Sequence, residues 1–168
     1  DSWAQKTIPV PLVVGHEFVG RIVELGSDVD YLKIGDLVSG EGHLICGRCR
    51  NCLAGRRHYC KDTRGVGVNS PGAFAEFVAI PGAATNLVRL PEAVGFEAAA
   101  ALGCRLATAY RALAHLDQAA LQPGDRVAVF GCGGVGLSAV MIAAALGAEV
   151  TAIDIRDPAL ESARQLGA

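Results

Sequence analysis

The chain has 168 residues, a net charge of −2 and 51% hydrophobic residues, which gives room for one full domain or parts of two. The nearly neutral charge argues against nucleic acid or an anionic membrane as the main partner. No uninterrupted apolar run reaches the length of a membrane span, and abundant Gly, Ala and Val favour an α/β protein.

The first part of the chain, to about Pro91, is rich in turns, and its alternating patterns predict short strands at 18–25, 36–40, 74–80 and 86–90. His16 and Glu17 lie at the entry to the first of these strands, within the tripeptide GHE. A lone histidine is more often a hydrogen-bonded core residue than a ligand. The pair of His16 and Glu17 therefore indicates a functional site only in combination with the motifs that follow it.

Four of the six cysteines are crowded into the pattern C-x2-C-x2-C-x7-C, at Cys46, Cys49, Cys52 and Cys60. Neighbours three residues apart make poor disulfide partners but good metal ligands, and four thiolates can surround one tetrahedral zinc ion. A closed four-cysteine shell has no open position, so the pattern predicts a structural zinc lobe at about 44–62. Reduced surface thiols and an iron–sulfur cluster are the alternatives.

The second part begins near the predicted boundary at Pro91–Gly95, and two helices are predicted at 96–102 and 104–115. Cys104 would open the second of these helices. Further on, a buried strand at 126–130 follows a Pro-Gly-Asp turn and leads into a glycine-rich segment. A helix that ends at Gly147 and a second strand at 149–153 complete the pattern.

The glycine-rich segment has the form G-x-G-x-x-G and a following acid, which is the dinucleotide-binding fingerprint when it joins two strands and a helix. Gly131 permits a tight turn, Gly133 lets the backbone approach a pyrophosphate, and Gly136 lets helix and strand pack closely. The helix start, with Gly134 and Val135, offers unpaired N–H groups to the anion. Asp154 would accept hydrogen bonds from the adenosine ribose, which favours NAD over NADP, although Arg156 could soften that preference.

The motifs occur in the order GHE, four-cysteine lobe, GC at 103–104 and G-x-G-x-x-G. This order resembles the zinc-dependent medium-chain alcohol dehydrogenases, over nearly the whole chain. The resemblance implies an α/β fold with a partial GroES-like irregular β domain at 1–92 and the first part of a Rossmann domain at 93–168. It places His16 and Cys104 on a second, catalytic zinc, with Glu17 beside the metal.

The same resemblance implies one further cysteine ligand, which would lie before residue 1, so we expect a fragment of a longer protein. It also places Thr108 against the nicotinamide. Residues up to about Phe74 resemble the L-threonine 3-dehydrogenase branch, in which the histidine of GEGH faces the substrate and would here be His43. Support of the zinc loop is an equally good reading of His43. The later residues resemble general zinc alcohol dehydrogenases.

These observations predict a zinc-dependent NAD oxidoreductase that oxidises an alcohol to a ketone or aldehyde. L-Threonine 3-dehydrogenase is one alternative, and a non-catalytic zinc-binding fragment is another. We expect a small-molecule alcohol as substrate, no nucleic-acid or membrane partner, and a homo-oligomer at full length. No secretory leader is visible and the thiol pattern is that of a reducing compartment, which indicates the cytoplasm.

Overall fold

The structure, a computed structural model, describes residues 8–114 and 121–168. Contacts divide the chain after Cys104 into two compact units, each of which is described by itself. The domain boundary expected after residue 92 stays a prediction. None of the helices in these described residues combines the length and the apolar character needed to cross a bilayer.

Short antiparallel strands form the first unit. They are β1 (Val19–Arg21), β2 (Leu37–Ser39), β3 (His43–Leu44), β4 (Arg64–Gly65) and β5 (Val88–Arg89). Strand β2 lies between β1 and β5, and β3 pairs with β4 as a separate ribbon. Because β2 is central, all three of its residues are buried, and Val38 packs with Ile22 and Leu32 in a small core.

The strand expected at 74–80 is wrong, since the described structure has no strand there. The backbone hydrogen bonds of this region are made at its start, where Gly72 N–H donates to Val13 and Phe74 N–H donates to Val14. The later alternation of apolar residues buries little, because the side chains of Phe74 and Phe77 are mostly exposed. Residues 72–74 therefore bond to residues 13–15, and the segment that follows them forms no strand.

Helices connect and follow these strands. They are α1 (Arg50–Leu53), α2 (Ala83–Asn86), α3 (Phe96–Ala101) and α4 (Ala107–Ala114), and single 3-10 turns lie at Arg57–Tyr59 and Glu92–Val94. The break expected before Cys104 is absent, because a π-helical turn at Leu102–Leu106 carries the helix on. Cys104 thus lies within this wide turn and does not open a helix. The predicted end of the helix at residue 115 lies outside the described residues.

The second unit contains α4 and a strand–helix–strand–helix sequence, formed by β6 (Arg126–Phe130), α5 (Gly134–Ala145), β7 (Glu149–Ile153) and α6 (Asp157–Gln165). Strands β6 and β7 are parallel and in register from Arg126↔Glu149 to Phe130↔Ile153. Gly147, with φ +84°, ends the turn after α5 and so confirms the predicted stop. A core that includes Val129, Val140 and Ala163 joins strand and helices.

Candidate metal centre and nucleotide-binding turn

The four cysteines of the predicted zinc lobe converge, and all four Sγ atoms lie within 4.8 Å of one another. The Cys49–Cys52 and Cys46–Cys60 sulfur pairs are 3.6 and 3.7 Å apart. A tetrahedral zinc site with bonds of ~2.3 Å holds its sulfur atoms about 3.8 Å apart, whereas a disulfide needs ~2.05 Å. The donor set therefore fits one tetrahedral ion, and these sulfur pairs are not disulfides.

Backbone N–H groups already point at these sulfur atoms. Cys49 N–H donates to the sulfur of Cys46 at 3.3 Å, and Cys46 N–H donates to that of Cys60 at 3.4 Å. Donation from the backbone of Cys52 and Lys61 lowers the pKa of the Cys49 thiol to about 6. Burial, together with the neighbouring sulfur atoms, raises the pKa of Cys52 to about 12. One thiolate thus forms readily, while a full set of four needs a cation to balance its charge.

One side chain that the sequence analysis did not identify, that of Asn86, links the four-cysteine lobe to helix α2. The Asn86 carboxamide accepts from Ile45 N–H at 2.9 Å and donates to the Ile45 carbonyl at 3.1 Å. It also donates to the Pro81 carbonyl at 2.9 Å. Beside it, Thr85 lies against Gly47, where a Cβ would be 2.8 Å from the threonine Oγ1. Forty-one residues separate Asn86 from Ile45, so no local pattern reveals the contact.

The residues assigned to the catalytic zinc belong to the first unit, and His16 and Glu17 are half-buried at the start of β1. Cys104 is exposed in the π-helical turn, and the residue before it, Gly103, faces Glu17, with a Cβ position 3.9 Å from the Glu17 Cα. Within the described residues, however, only the four-cysteine group brings three or more potential ligands within 4.8 Å. The assignment of His16, Glu17 and Cys104 to a metal stays a prediction.

His43 lies in β3 with an exposed side chain, opposite Gly65. The residue before it, Gly42, is buried against the His16 side chain, and a Cβ there would stand 2.8 Å from both Cβ and Cδ2 of His16. The absence of a side chain at Gly42 therefore lets the strand that carries His43 approach His16. Sequence spacing had not connected the GEGH and GHE segments in this way.

The glycine turn connects β6 to α5 with the geometry that the fingerprint requires. Gly131 has φ +90°, which favours glycine, and a Cβ at Gly136 would overlap the carbonyl oxygen of Gly131. At Gly133 nothing lies within 4 Å of the Cβ position, so this backbone is open to an approaching ligand. A cleft of about 600 Å³ runs along β6 and the turn, past Val135.

Asp154 follows β7 directly, and its side chain is only 8% exposed. One carboxylate oxygen accepts from Cys132 N–H at 2.7 Å and the other from Arg156 N–H at 2.9 Å. These two hydrogen bonds, the stronger from Cys132, lower the pKa of Asp154 below its ordinary value. The Arg156 side chain also lies near it, with Nε 3.5 Å from Oδ1. A carboxylate has about four acceptor positions, so capacity for a ribose hydroxyl remains.

Arg105 lies against the start of α5, a contact that the sequence analysis did not identify. A Cβ at Gly134 would be 2.5 Å from its Cδ and 3.1 Å from its Nη1. The absence of a side chain at Gly134 therefore leaves room for the aliphatic part of the Arg105 side chain. Thr108 lies in α4 with an exposed side chain, so its hydroxyl is accessible.

Comparison with known proteins now assigns the chain to a family. Residues 1–92 match the family described as alcohol dehydrogenase GroES-like domain. The chain belongs to the alcohol dehydrogenase family. Residues 96–168 match the C-terminal domain family of alanine dehydrogenase and PNT, so a partial GroES-like domain followed by the start of a Rossmann-like domain is confirmed. The predicted kinship with the zinc-dependent alcohol dehydrogenases is also confirmed.

Individual members of the family cover the whole length of the chain. It is 49% identical to the L-threonine 3-dehydrogenase of Legionella pneumophila (strain Corby), over 99% of the chain and 47% of that protein. The alcohol dehydrogenase TADH of Thermus sp. ATN1 superposes with a TM-score of 0.89 at 40% identity, over 97% of this chain and 49% of that one.

A zinc-binding dehydrogenase from Sinorhizobium meliloti 1021, bound to NADP, superposes with a TM-score of 0.82 at 31% identity, over 96% of this chain and 46% of that one. The chain thus spans about half the length of the relatives it matches.

Proposed function

We propose that the protein to which this chain belongs is a zinc-dependent NAD oxidoreductase that oxidises an alcohol to a ketone or aldehyde. The observation that carries the proposal is the unit formed by β6, the glycine turn, α5, β7 and Asp154. Open backbone at Gly133 and a buried acid at the end of β7 are what a dinucleotide with an unphosphorylated ribose requires. Membership of the alcohol dehydrogenase family supplies the reaction class.

The proposed roles follow from residue chemistry. His16 and Cys104 would hold the catalytic zinc, with Glu17 adjusting its ligand shell, and Cys46, Cys49, Cys52 and Cys60 would hold the structural zinc. A zinc ion held by these residues would supply a Lewis acid to the alcohol oxygen, and NAD held by the glycine turn would supply a hydride acceptor. The alcohol loses one hydride and one proton in the process, which gives the carbonyl product and NADH.

The cofactor groups are assigned on the same basis. Gly131, Gly133, Gly134, Val135 and Gly136 would bind the pyrophosphate through their backbone, and Thr108 would contact the nicotinamide. Asp154 would repel a 2′-phosphate, and we therefore propose NAD as the cofactor, although the relative from Sinorhizobium meliloti 1021 is bound to NADP. The proximity of the Arg156 guanidinium to the Asp154 carboxylate offsets part of this repulsion.

L-Threonine is the substrate that a specific observation favours among alcohols. Curated relatives named L-threonine 3-dehydrogenase are 49% identical over essentially the whole chain. In this proposal His43 faces the amino acid, for which its exposed side chain in β3 is available. A His43→Ala variant of the full-length protein would then lower kcat/KM for L-threonine much more than for a simple secondary alcohol.

The test of the proposed function uses the chain restored to its full length with its natural flanking sequence. We expect NADH formation that depends on L-threonine or a secondary alcohol, and two zinc ions per chain by elemental analysis. Cys46→Ser should remove the structural ion and Cys104→Ser the catalytic one, and only the second should abolish turnover without loss of fold. Absence of NADH formation with every alcohol tested would refute the proposal.

The remaining expectations concern the whole protein. We propose a homo-oligomer that works in the cytoplasm, where four free thiols in one lobe stay reduced and available to zinc. The 168-residue chain taken alone can be assayed for the alternative role of zinc-bound scaffold. One zinc per isolated chain would support that role, whereas two would indicate that His16, Glu17 and Cys104 hold metal within it.

A further inference from the structure

The Asp154 carboxylate has a contact that ribose recognition does not require. Its Oδ2 accepts a short hydrogen bond of 2.7 Å from the backbone of Cys132, inside the glycine turn. The side chain is 8% exposed, so this bond is shielded from water. A hydrogen bond with a charged, shielded acceptor is among the stronger ones in proteins.

A second bond shows how firmly the start of the turn is tied to β7. Gly131 N–H donates to the Ile153 carbonyl at 2.7 Å, and Cys132 N–H, the next amide, donates to Asp154. Two successive amides of the turn are thus bound to two successive residues at the end of β7. The first α5 bond follows, from Leu137 N–H to the Gly133 carbonyl at 2.8 Å.

The amides between these two anchored regions are the ones that an anion would use. The first N–H groups of a helix have no partner within the helix, and Gly133 at the cap of α5 has no side chain to satisfy them. Their direction depends on how the preceding residues of the turn are held. A fixed Cys132 amide therefore sets the orientation of the N–H groups that follow it.

We propose that Asp154 is a positioning residue for the phosphate-binding turn, in which its carboxylate fixes the Cys132 amide and thereby aims the next amides at the pyrophosphate. This inference rests on the proposed dinucleotide-binding function and deepens it. One carboxylate would then serve both halves of the cofactor, the ribose directly and the phosphates through the turn.

Removal of the Asp154 side chain has two opposite effects on the binding of an anion. Asp154 is negative and close to the turn, so removal of its charge alone should strengthen the binding of a free anion. Loss of the bond to Cys132 should weaken anion binding, because the turn amides lose their fixed direction. Inorganic pyrophosphate has no ribose, so it separates these two effects from ribose recognition.

The test compares wild type, Asp154→Ala and Asp157→Ala in the full chain, because alanine at position 154 leaves no acceptor for the Cys132 N–H. Asp157, at the start of α6, carries the same charge and is no partner of Cys132, so it is the matched control. We expect Asp154→Ala to lower the affinity for inorganic pyrophosphate by about tenfold, and Asp157→Ala to leave it unchanged or slightly raise it. Calorimetry measures both affinities.

A second measurement needs neither ligand nor variant. In wild type, the Cys132 amide resonance should shift with acid along a single titration curve as Asp154 takes up a proton, and the protection factor of this amide, which corrects for the intrinsic exchange rate at each pH, should then fall. A Cys132 amide resonance that does not change with acid would overturn the inference even if Asp154→Ala failed to fold.

The outcomes separate the inference from the proposed function. Wild type that binds both NAD and pyrophosphate, with Asp154→Ala binding pyrophosphate equally or more tightly, would overturn only the inference. Wild type that binds neither would overturn the proposed function, and the inference with it.

Discussion

At the scale of single residues, two glycines of the same turn are required for different reasons. A Cβ at Gly136 would overlap the Gly131 carbonyl oxygen, whereas the Cβ position at Gly133 is open and its φ of −82° suits alanine. We therefore expect Gly136→Ala to lower the unfolding free energy of the second unit. Gly133→Ala should keep the melting temperature but weaken NAD binding at least tenfold, as measured by calorimetry, since the methyl group occupies the approach of the pyrophosphate (~1.4 kcal/mol per tenfold change).

Each variant controls for the other in this pair. Equal loss of thermal stability in both would contradict the assignment of Gly133 to ligand approach. Unchanged stability in Gly136→Ala would contradict the close packing of the turn.

Gly42 offers a second test at the residue scale. An alanine Cβ there would press on the His16 side chain at 2.8 Å, so we expect Gly42→Ala to displace the imidazole. If His16 is a ligand of the catalytic zinc, the full-length variant should lose one zinc and most of its turnover while the four-cysteine lobe keeps its metal. Gly20→Ala is the matched control, because nothing lies within 4 Å of the Cβ position at Gly20. Full zinc content in Gly42→Ala would count against His16 as a ligand.

The lowered pKa of Asp154 predicts a pH dependence of stability. Hydrogen bonds from Cys132 and Arg156 favour the charged carboxylate, so the folded pKa lies below the unfolded value. The stabilisation is complete above the ordinary pKa of about 3.9 and is lost as the pH falls through the lower folded value. In urea unfolding, the advantage of wild type over Asp154→Asn should shrink as the pH falls from about 5 toward 2. A constant difference would disprove this.

At the scale of elements, helix α2 holds the four-cysteine lobe through the hydrogen bonds between Asn86 and Ile45. Asn86→Ala would leave the Ile45 amide and carbonyl without their partner, at a cost of about 1–3 kcal/mol. We expect faster zinc release to a chelator dye, because Ile45 directly precedes Cys46, the first of the four proposed zinc ligands. Asn86→Asp is the matched variant, since it keeps the acceptor for Ile45 N–H and loses the two donors. Release rates equal to wild type in both variants would show that the lobe holds its metal without α2.

Elements also show where sequence patterns succeed. The strands at 126–130 and 149–153 and the helix stop near Gly147 were predicted because a continuous apolar run favours a parallel strand and glycine marks the turns. The burial predicted for the strand at 126–130 is wrong for the described residues, since only Val129 is buried there and Phe130 is mostly exposed. The strand predicted at 74–80 is wrong. The alternation of its side chains is typical of a half-buried strand, but the backbone of residues 72–74 bonds to residues 13–15 and no strand follows. The helix break predicted before Cys104 is also wrong, since the inserted residue of a π-helical turn leaves no periodic pattern in the sequence.

At the scale of the whole molecule, each unit has a core of its own, around Val38 in the first and around Val140 in the second. The four-cysteine lobe adds few buried side chains beyond Cys52 and Cys60, so a bound metal would be its main source of stability. We expect a chelator to raise amide exchange throughout residues 44–62 while the amides of β6 and β7 stay protected. A Cys46→Ser chain should show the same exposure without chelator. Simultaneous loss of protection in both units would contradict independent cores.

The sequence by itself determined the four-cysteine donor set, the dinucleotide fingerprint and the family, because ligand spacing and glycine positions are local constraints that few other structures satisfy. Only the tertiary structure decided which distant groups support those motifs. Asn86 reaches Ile45, Gly42 accommodates His16, and Asp154 holds the Cys132 amide. These contacts join residues 22 to 41 positions apart, and their partners are ordinary side chains and backbone groups, so only folding brings them together.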